Sequence, residues 1–521
     1  MTRRPERRLP TIAAAALALL TATPSHAARP ARLQPEGQVP AAEMQEAMAS
    51  AVARLQQEDC PGALAILDPL LPRVQGKERN SVQLLRVPCL SALGRNDEVP
   101  AIYREMAAID PENAAVRAIG VIVAMQERDF PSAAQRLTVL AERSPDGLRT
   151  ISSAVPRGIM QYLTQEQDFP ARKRLFVALA RADWQPADRP EMRDSFAQGA
   201  IEALLADKQV SEAEAILPRV TMPELLVSMA MERLYEPLWP AIEARLGPHG
   251  GNAVDRFALS RLEAFTRSER DERSLRDAIR SFILLGRFPE AIELAEKVKI
   301  EEGMSEDAVT SVRYHAQALA AQGHRDEAVA RMRPFAALDV ARTPAAVSGL
   351  VSLAELLDEG NRSEEALTVA RAAESRSGDA ISQWGRAWLQ RTEVCALSAL
   401  GRGAEADRIA DTLIAHSADN QAATVEALLC ARRSDDAARI AVATLATQEG
   451  ASVLADQFQP ESALWAAAPS RLRALWTDFL KRPDVRTAFD RKARILPESL
   501  WPSREPRPIP RRGTDKPMSI A

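Results

Sequence analysis

The sequence predicts an all-α chain, an α-solenoid of stacked antiparallel helix hairpins, and three observations lead there. A short turn pattern recurs along the 521 residues. Apolar residues step by three and four on both sides of that turn, the spacing of one helix face. No stretch of six residues alternates apolar with polar, as a half-buried strand would.

The turn consists of apolar residues, a Gly, a charged pair, and then a small residue opening the next helix. It runs Leu93-Gly94-Arg95-Asn96-Asp97-Glu98-Val99, and returns as Leu285-Gly286-Arg287-Phe288-Pro289-Glu290-Ala291. Further copies centre on Gly323, on Gly360 with one extra residue, and on Gly401. The steps from Ala291 to Ala328, Ala366 and Ala406 are 37, 38 and 40 residues. Copies without the Gly stand at Glu127–Ala133, Lys208–Ala213 and Arg433–Ala437, and Gln167–Ala171 echoes the first of these. A fixed period of this length is the mark of a repeat architecture, in which neighbouring units supply each other's core.

Helical spacing brackets each turn. Leu275, Ile279, Phe282 and Ile283 precede Gly286, and Ala291, Leu294, Ala295 and Val298 follow it. The Gly ends the first helix because it accepts left-handed φ at little cost. The acidic and hydroxyl residues after it suit the first turn of the second helix, whose free N–H groups attract acceptors and negative charge.

At Tyr103, Met106 and Ile109-Asp110-Pro111-Glu112-Asn113 the pattern becomes specific. Together with the Gly turn it resembles the tetratricopeptide repeat, over roughly residues 45–450 and most closely at 82–113 and 270–410. Val87, Ile279, Leu353 and Val394 depart from the family pattern, which places a small residue there. The resemblance implies a tetratricopeptide-like superhelix whose groove holds a peptide or protein. The expected function is therefore a non-catalytic interaction scaffold or adaptor for a protein or peptide of the cell envelope. The alternative is a non-catalytic component of envelope polysaccharide assembly or export.

The ends point to export. Basic residues Arg3 to Arg8, an apolar run from Ile12 to Ala22, and Ser25-His26-Ala27 form an n-region, an h-region and a small-residue cleavage site. The apolar run is about half of the ~20 residues a spanning helix needs, so residues 1–27 read as a signal peptide, with the mature chain starting at Ala28. With abundant Ala and Arg, this suggests a bacterial periplasmic protein. The chain carries a net charge of −4; the signal holds four Arg and one Glu, so the mature chain carries −7. An acidic body of this kind repels nucleic acid and anionic membranes, and no later segment is apolar enough for stable membrane insertion.

The expected organisation is a signal peptide (1–27), a flexible segment (28–41), N-terminal helical repeats (42–150), degenerate repeats (151–265), tetratricopeptide-like repeats (266–450), a helical C-terminal cap (451–500) and a disordered Pro/Arg-rich tail (501–521). The loop Gly247-Pro248-His249-Gly250-Gly251-Asn252 reads as a joint between two solenoid arms. Leu464, Trp465, Leu472, Leu475, Trp476, Phe479 and Leu480 supply the apolar face of the cap.

Catalytic and cofactor patterns are missing. The five His share no metal-ligand spacing, and no nucleophile elbow, phosphate loop or dinucleotide fingerprint is present. The expectation is no catalytic residue, no cofactor and no metal. Trp384 and Trp388, four apart, share one helix face and read as hairpin core; exposed, they would form a platform for a sugar. Four cysteines remain after cleavage, and an even count in an oxidising compartment suggests disulfides. Cys60 opens the second helix of the first hairpin, and Cys89 ends the antiparallel helix beside it, so a Cys60–Cys89 bond is expected. Cys395 and Cys430 lie on adjacent first helices one turn out of register, a poorer fit for the second bond.

Overall fold

The computed structural model describes residues 39–378, 381–447 and 449–512. The signal peptide and nearly all of the segment 28–41 lie outside them. The regular structure of the described residues is helical, and its one β pairing is an isolated antiparallel bridge between Glu232 and Ala493. The chain is an all-α, tetratricopeptide-like solenoid in two compact units, the first ending at Val220 and the second starting at Thr221.

The described residues of unit 1 form five hairpins: α1 (Ala41–Gln56) with α2 (Cys60–Leu67), α3 (Gly76–Ala92) with α4 (Val99–Ile109), α5 (Ala114–Gln126) with α6 (Phe130–Arg143), α7 (Ala154–Gln165) with α8 (Phe169–Arg181), and α9 (Met192–Ala206) with α10 (Val210–Ile216). The part of the blurred span 151–265 that falls here is therefore two regular hairpins.

Unit 2 opens with α11 (Pro223–Met231), α12 (Trp239–Leu246) and α13 (Gly251–Arg267). Five hairpins follow: α14 (Glu272–Leu284) with α15 (Phe288–Glu296), α16 (Glu306–Ala321) with α17 (Arg325–Met332), α18 (Ala346–Glu359) with α19 (Ser363–Ser377), α20 (Gln383–Ala399) with α21 (Gly403–Ala415), and α22 (Gln421–Cys430) with α23 (Ser434–Ala446). The first helices α14, α16, α18, α20 and α22 pack successively on one another. Val87, Ile279, Leu353 and Val394 are buried, so the larger residues at the family's small position fill hairpin cores.

One turn geometry recurs at ten hairpins. Gly94, Gly286, Gly323 and Gly401 take φ between 70° and 85°. Glu58, Arg128, Gln167, Lys208, Asn361 and Arg432 take φ between 56° and 61° at the same place. In each, the next N–H reaches a carbonyl five residues back at 2.8–2.9 Å, as from Arg95 to Leu90 and from Arg433 to Leu428. This is the Schellman closure of a helix C-terminus. At Gly360-Asn361 the extra residue moves the left-handed position to Asn361, and Gly360 keeps φ −83°.

Seven of the ten second helices start in one of two ways. Asp59, Asp129 and Asp168 accept from the N–H three residues on. Arg287, Arg362, Arg402 and Arg433 instead pair with the carboxylate three residues on, at Glu290, Glu365, Glu405 and Asp436.

The C-terminal segment leaves the repeat. After α24 (Gly450–Leu454) come α25 (Arg471–Phe479) and α26 (Pro483–Lys492), which pack on α22 and α23 around Phe458, Trp476, Phe479 and Phe489. Residues 493–512 then return to the start of unit 2. Arg494 N donates to Met231 O at 2.8 Å, its side chain pairs with Glu243, and its guanidinium lies 3.5 Å from the ring centroid of Trp239. Leu464 and Trp465, assigned to a helical cap, are not in α-helix.

Two expectations are corrected. The Gly-rich loop 247–252 is no joint: it joins α12 to α13 within unit 2, with His249 Nδ1 2.9 Å from Trp501 O. The tail is held as far as Arg512. Arg507 N donates to Leu285 O, its guanidinium pairs with Asp255, and Arg512 pairs with Glu263. Disorder was expected because the tail buries little apolar surface; ion pairs and one backbone bond fix it instead. Residues 513–521 lie outside the described residues.

Candidate functional site

A cavity of unit 2 lies where α16, α18, α20 and α22 face the start of α25. Helix periodicity makes this site: Ser348, Ser352, Glu355 and Glu359 recur every three or four residues along α18 and present one stripe. The segment opposite is pinned by Ser470, the N-cap of α25. Its Oγ accepts from Arg473 N at 3.0 Å and donates to Glu359 Oε1 at 2.6 Å. Arg471 N donates to Glu359 Oε2 at 2.9 Å, and Arg471 Nη2 to Asp358 Oδ2 at 2.9 Å.

The space between is a cavity of about 760 Å³, with Trp384 and Trp388 at one side. A second of about 450 Å³, lined by Tyr314, Gln317 and Leu464, adjoins it. Both share Arg313, Ser352, Glu355, Glu359, Ser470 and Arg473, so they form one trough.

A buried charged network forms its floor. Arg391 is 1% exposed, with Nε 3.1 Å from Glu426 Oε1, Nη2 3.5 Å from Glu355 and its guanidinium 5.1 Å from the Trp388 centroid. The approach to Glu426 is an ion-pair contact without hydrogen-bond alignment. Trp476 Nε1 donates to Glu426 Oε2 at 2.7 Å. Burial pushes the Glu426 and Asp358 carboxyls above their ordinary range. Burial opposes the Arg391 charge as well, and Glu426, Glu355 and Asp358 outweigh it and raise its pKa. Such a network contributes little net stability, but removing one partner leaves a buried charge unpaired.

The two tryptophans are not core. Trp384 is 59% exposed, and Trp388 is half-buried with its ring 5.9 Å from Trp384 at 75°. Periodicity placed both on one face; that face opens to the trough because the neighbouring layer, α25, meets α22 rather than the start of α20. Glu355 and Arg313 are exposed in the same trough, with Arg313 Nε donating to Ser352 Oγ at 2.8 Å.

The cysteines reverse their expected order. Cys395 and Cys430 are bonded, with Cα atoms 4.9 Å apart. Stacked helices cross at an angle, so counting from the turns does not tell which residues meet; Cys430, the last residue of α22, reaches a point inside α20. Cys60 and Cys89 are free buried thiols, where a bond was expected. They do meet: burial, and then the hydrogen bond to Cys60, push the Cys89 thiol up to about 12.

Among the described residues no cluster of three His, Cys, Asp or Glu has the geometry to hold a metal ion. His249, His324 and His416 are exposed, and buried His315 Nδ1 accepts from Arg331 Nε at 3.1 Å. No helix of the described residues is long and apolar enough to cross a membrane.

No family model and no curated protein matches the chain. Similar solved structures include Naa15/Naa10 bound to HypK-THB, at 12% identity and TM-score 0.25 over 80% of this chain and 71% of that one. Another is the P58(IPK) TPR domain, at 13% identity and TM-score 0.20 over 69% of this chain and 99% of that one. The class of this protein is set by its own hairpins, a tetratricopeptide-like all-α solenoid.

Proposed function

We propose that the chain is a non-catalytic binding protein of the bacterial periplasm, with the unit 2 trough as the seat of an extended partner chain. The trough itself is the observation that carries this reading. It is open, runs across successive first helices, and combines apolar rings with polar groups fixed by neighbours, the usual make-up of a binding site. Ser470, Glu359 and Asp358 are held in place before any partner arrives, which lowers the ordering cost of binding.

The repeat resemblance favours a protein or peptide partner, in keeping with an interaction scaffold. The exposed Trp384 favours the second reading, a component of envelope polysaccharide assembly or export. The export reading rests on the signal at 1–27. A pull-down from envelope extract tests the seat: Ser352→Trp fills the trough and is expected to lose the partners that the unaltered protein retains. Full retention by a folded Ser352→Trp protein contradicts it.

A further inference from the structure

We infer that the trough takes an uncharged oligosaccharide, with Trp384 as the stacking platform for one pyranose ring. This rests on the trough being the binding seat, and it goes further by fixing the class of ligand.

The first support is the platform. An indole exposed over most of its surface loses apolar contact with water when covered, and its electron-rich face suits the C–H face of a sugar ring. Its edge-on neighbour Trp388 is itself braced by Arg391, so the platform has a rigid base.

The second support is the polar complement. A sugar hydroxyl both donates and accepts. Glu355, with its side chain 50% exposed, accepts; the exposed Arg313 guanidinium donates. Ser382, whose Oγ accepts from Gly385 N, keeps its proton to donate, and Ser348, whose proton goes to Ala345 O, keeps a lone pair to accept. An extended peptide asks instead for amide groups matched to its backbone, and among the described lining residues only Gln317 and Gln457 carry one.

The third support is charge. The lining carries Arg313, Arg325 and Arg473 against Glu306, Glu355, Glu359 and Glu426. Glu359 is engaged by Ser470 and Arg471, and Glu426 by Arg391 and Trp476. Arg473 spends its Nη1 on the carbonyls of Asp456 and Gln457. A polyanion would meet the half-exposed Glu355 carboxylate, and a polycation would meet Arg313, Arg325 and Arg473. A ligand without formal charge meets neither penalty.

Calorimetric titration of the mature protein with cellohexaose, N-acetylchitohexaose, hexameric polyguluronate and a Lys/Arg-rich decapeptide tests this. At least one of the two neutral sugars is expected to bind at least about tenfold tighter than the charged probes. Trp384→Ala should weaken that sugar about tenfold or more, and Trp384→Phe should keep most of the affinity. Because Trp384 is exposed, its loss should leave the thermal midpoint unchanged. Failure of both neutral sugars, or binding that Trp384→Ala leaves intact, overturns the assignment. If Ser352→Trp still blocks an envelope partner while no sugar binds, the seat stands and the saccharide falls. If Ser352→Trp blocks nothing, the seat falls as well.

Discussion

The indole of Trp476 donates from Nε1 to Oε2 of Glu426 at 2.7 Å, with both side chains buried. Fifty residues separate them in sequence. This bond ties α25 to the last hairpin and makes the floor of the trough depend on the C-terminal segment.

Glu426→Ala removes the carboxylate that pairs with both Trp476 and Arg391. Leaving Arg391 buried beside fewer anions should destabilise unit 2 by about 3–5 kcal/mol. Trp476→Phe keeps an aromatic ring but leaves Glu426 short of a donor and a cavity where the rest of the indole packed, at a cost of about 2–4 kcal/mol. Urea denaturation of both variants, followed by circular dichroism, measures the difference.

The cysteine chemistry should be asymmetric. Non-reducing peptide mapping is expected to recover Cys395 joined to Cys430, with Cys60 and Cys89 free. The bonded pair spans 35 residues, and the chain-entropy model assigns such a loop about 3–4 kcal/mol, which Cys395→Ser with Cys430→Ser should forfeit. With its thiol pushed up to about 12, Cys89 should resist alkylation at pH 8 until urea unfolds unit 1. A Cys60–Cys89 peptide in the map would contradict this part.

Stability should also fall in acid through His315. Burial, and then Arg331, hold its pKa down at about 4, against an ordinary 6.5. Between those values the unfolded chain binds a proton that the folded chain refuses, so stability is lost as pH falls from about 6.5 to about 4. Thermal midpoints of His315→Gln across that window should show a shallower slope than those of the unaltered protein. Parallel slopes would mean that other groups cause the acid loss.

The repeat turns offer a backbone test. Lys208 holds φ 61°, whereas Gly401 at φ 74° meets no atom within 4 Å of an added Cβ. Lys208→Gly should stabilise by about 0.5–1 kcal/mol, the left-handed penalty less the entropy of glycine. Gly401→Ala should cost about 0.5–1 kcal/mol, the same balance in reverse. Equal and opposite errors in sign would remove the shared-turn account.

Export is a separate expectation. N-terminal sequencing of protein from the periplasmic fraction should begin at Ala28, and an intact membrane-held N-terminus would contradict it.

What was legible in the sequence was local. Gly94, Gly286, Gly323 and Gly401 announced their turns because a left-handed residue needs glycine most. Arg128, Lys208 and Arg432 adopt the same conformation without a glycine; their turns are legible only from the charged and small residues beside them, since the tertiary packing of the hairpin outweighs the preference of each residue. The cysteine order was missed because helix crossing, not turn spacing, sets which residues meet. The return of residues 493–512 was invisible: the bond from Arg494 to Met231 spans more than 260 positions and has no local signature. Trp384 and Trp388 were read as core for the same reason, since helix periodicity names a face but not what covers it.

The trough as binding seat is tested most directly by photocrosslinking in living cells. Benzoylphenylalanine replaces Trp384, an exposed ring at the side of the trough whose exchange for another aromatic leaves the space open, and in a control replaces Glu214, exposed in unit 1. Irradiation is expected to give a crosslinked product, glycan or protein, from position 384 and none from position 214. No product from 384, or the same product from both positions, would contradict the trough as the seat of binding.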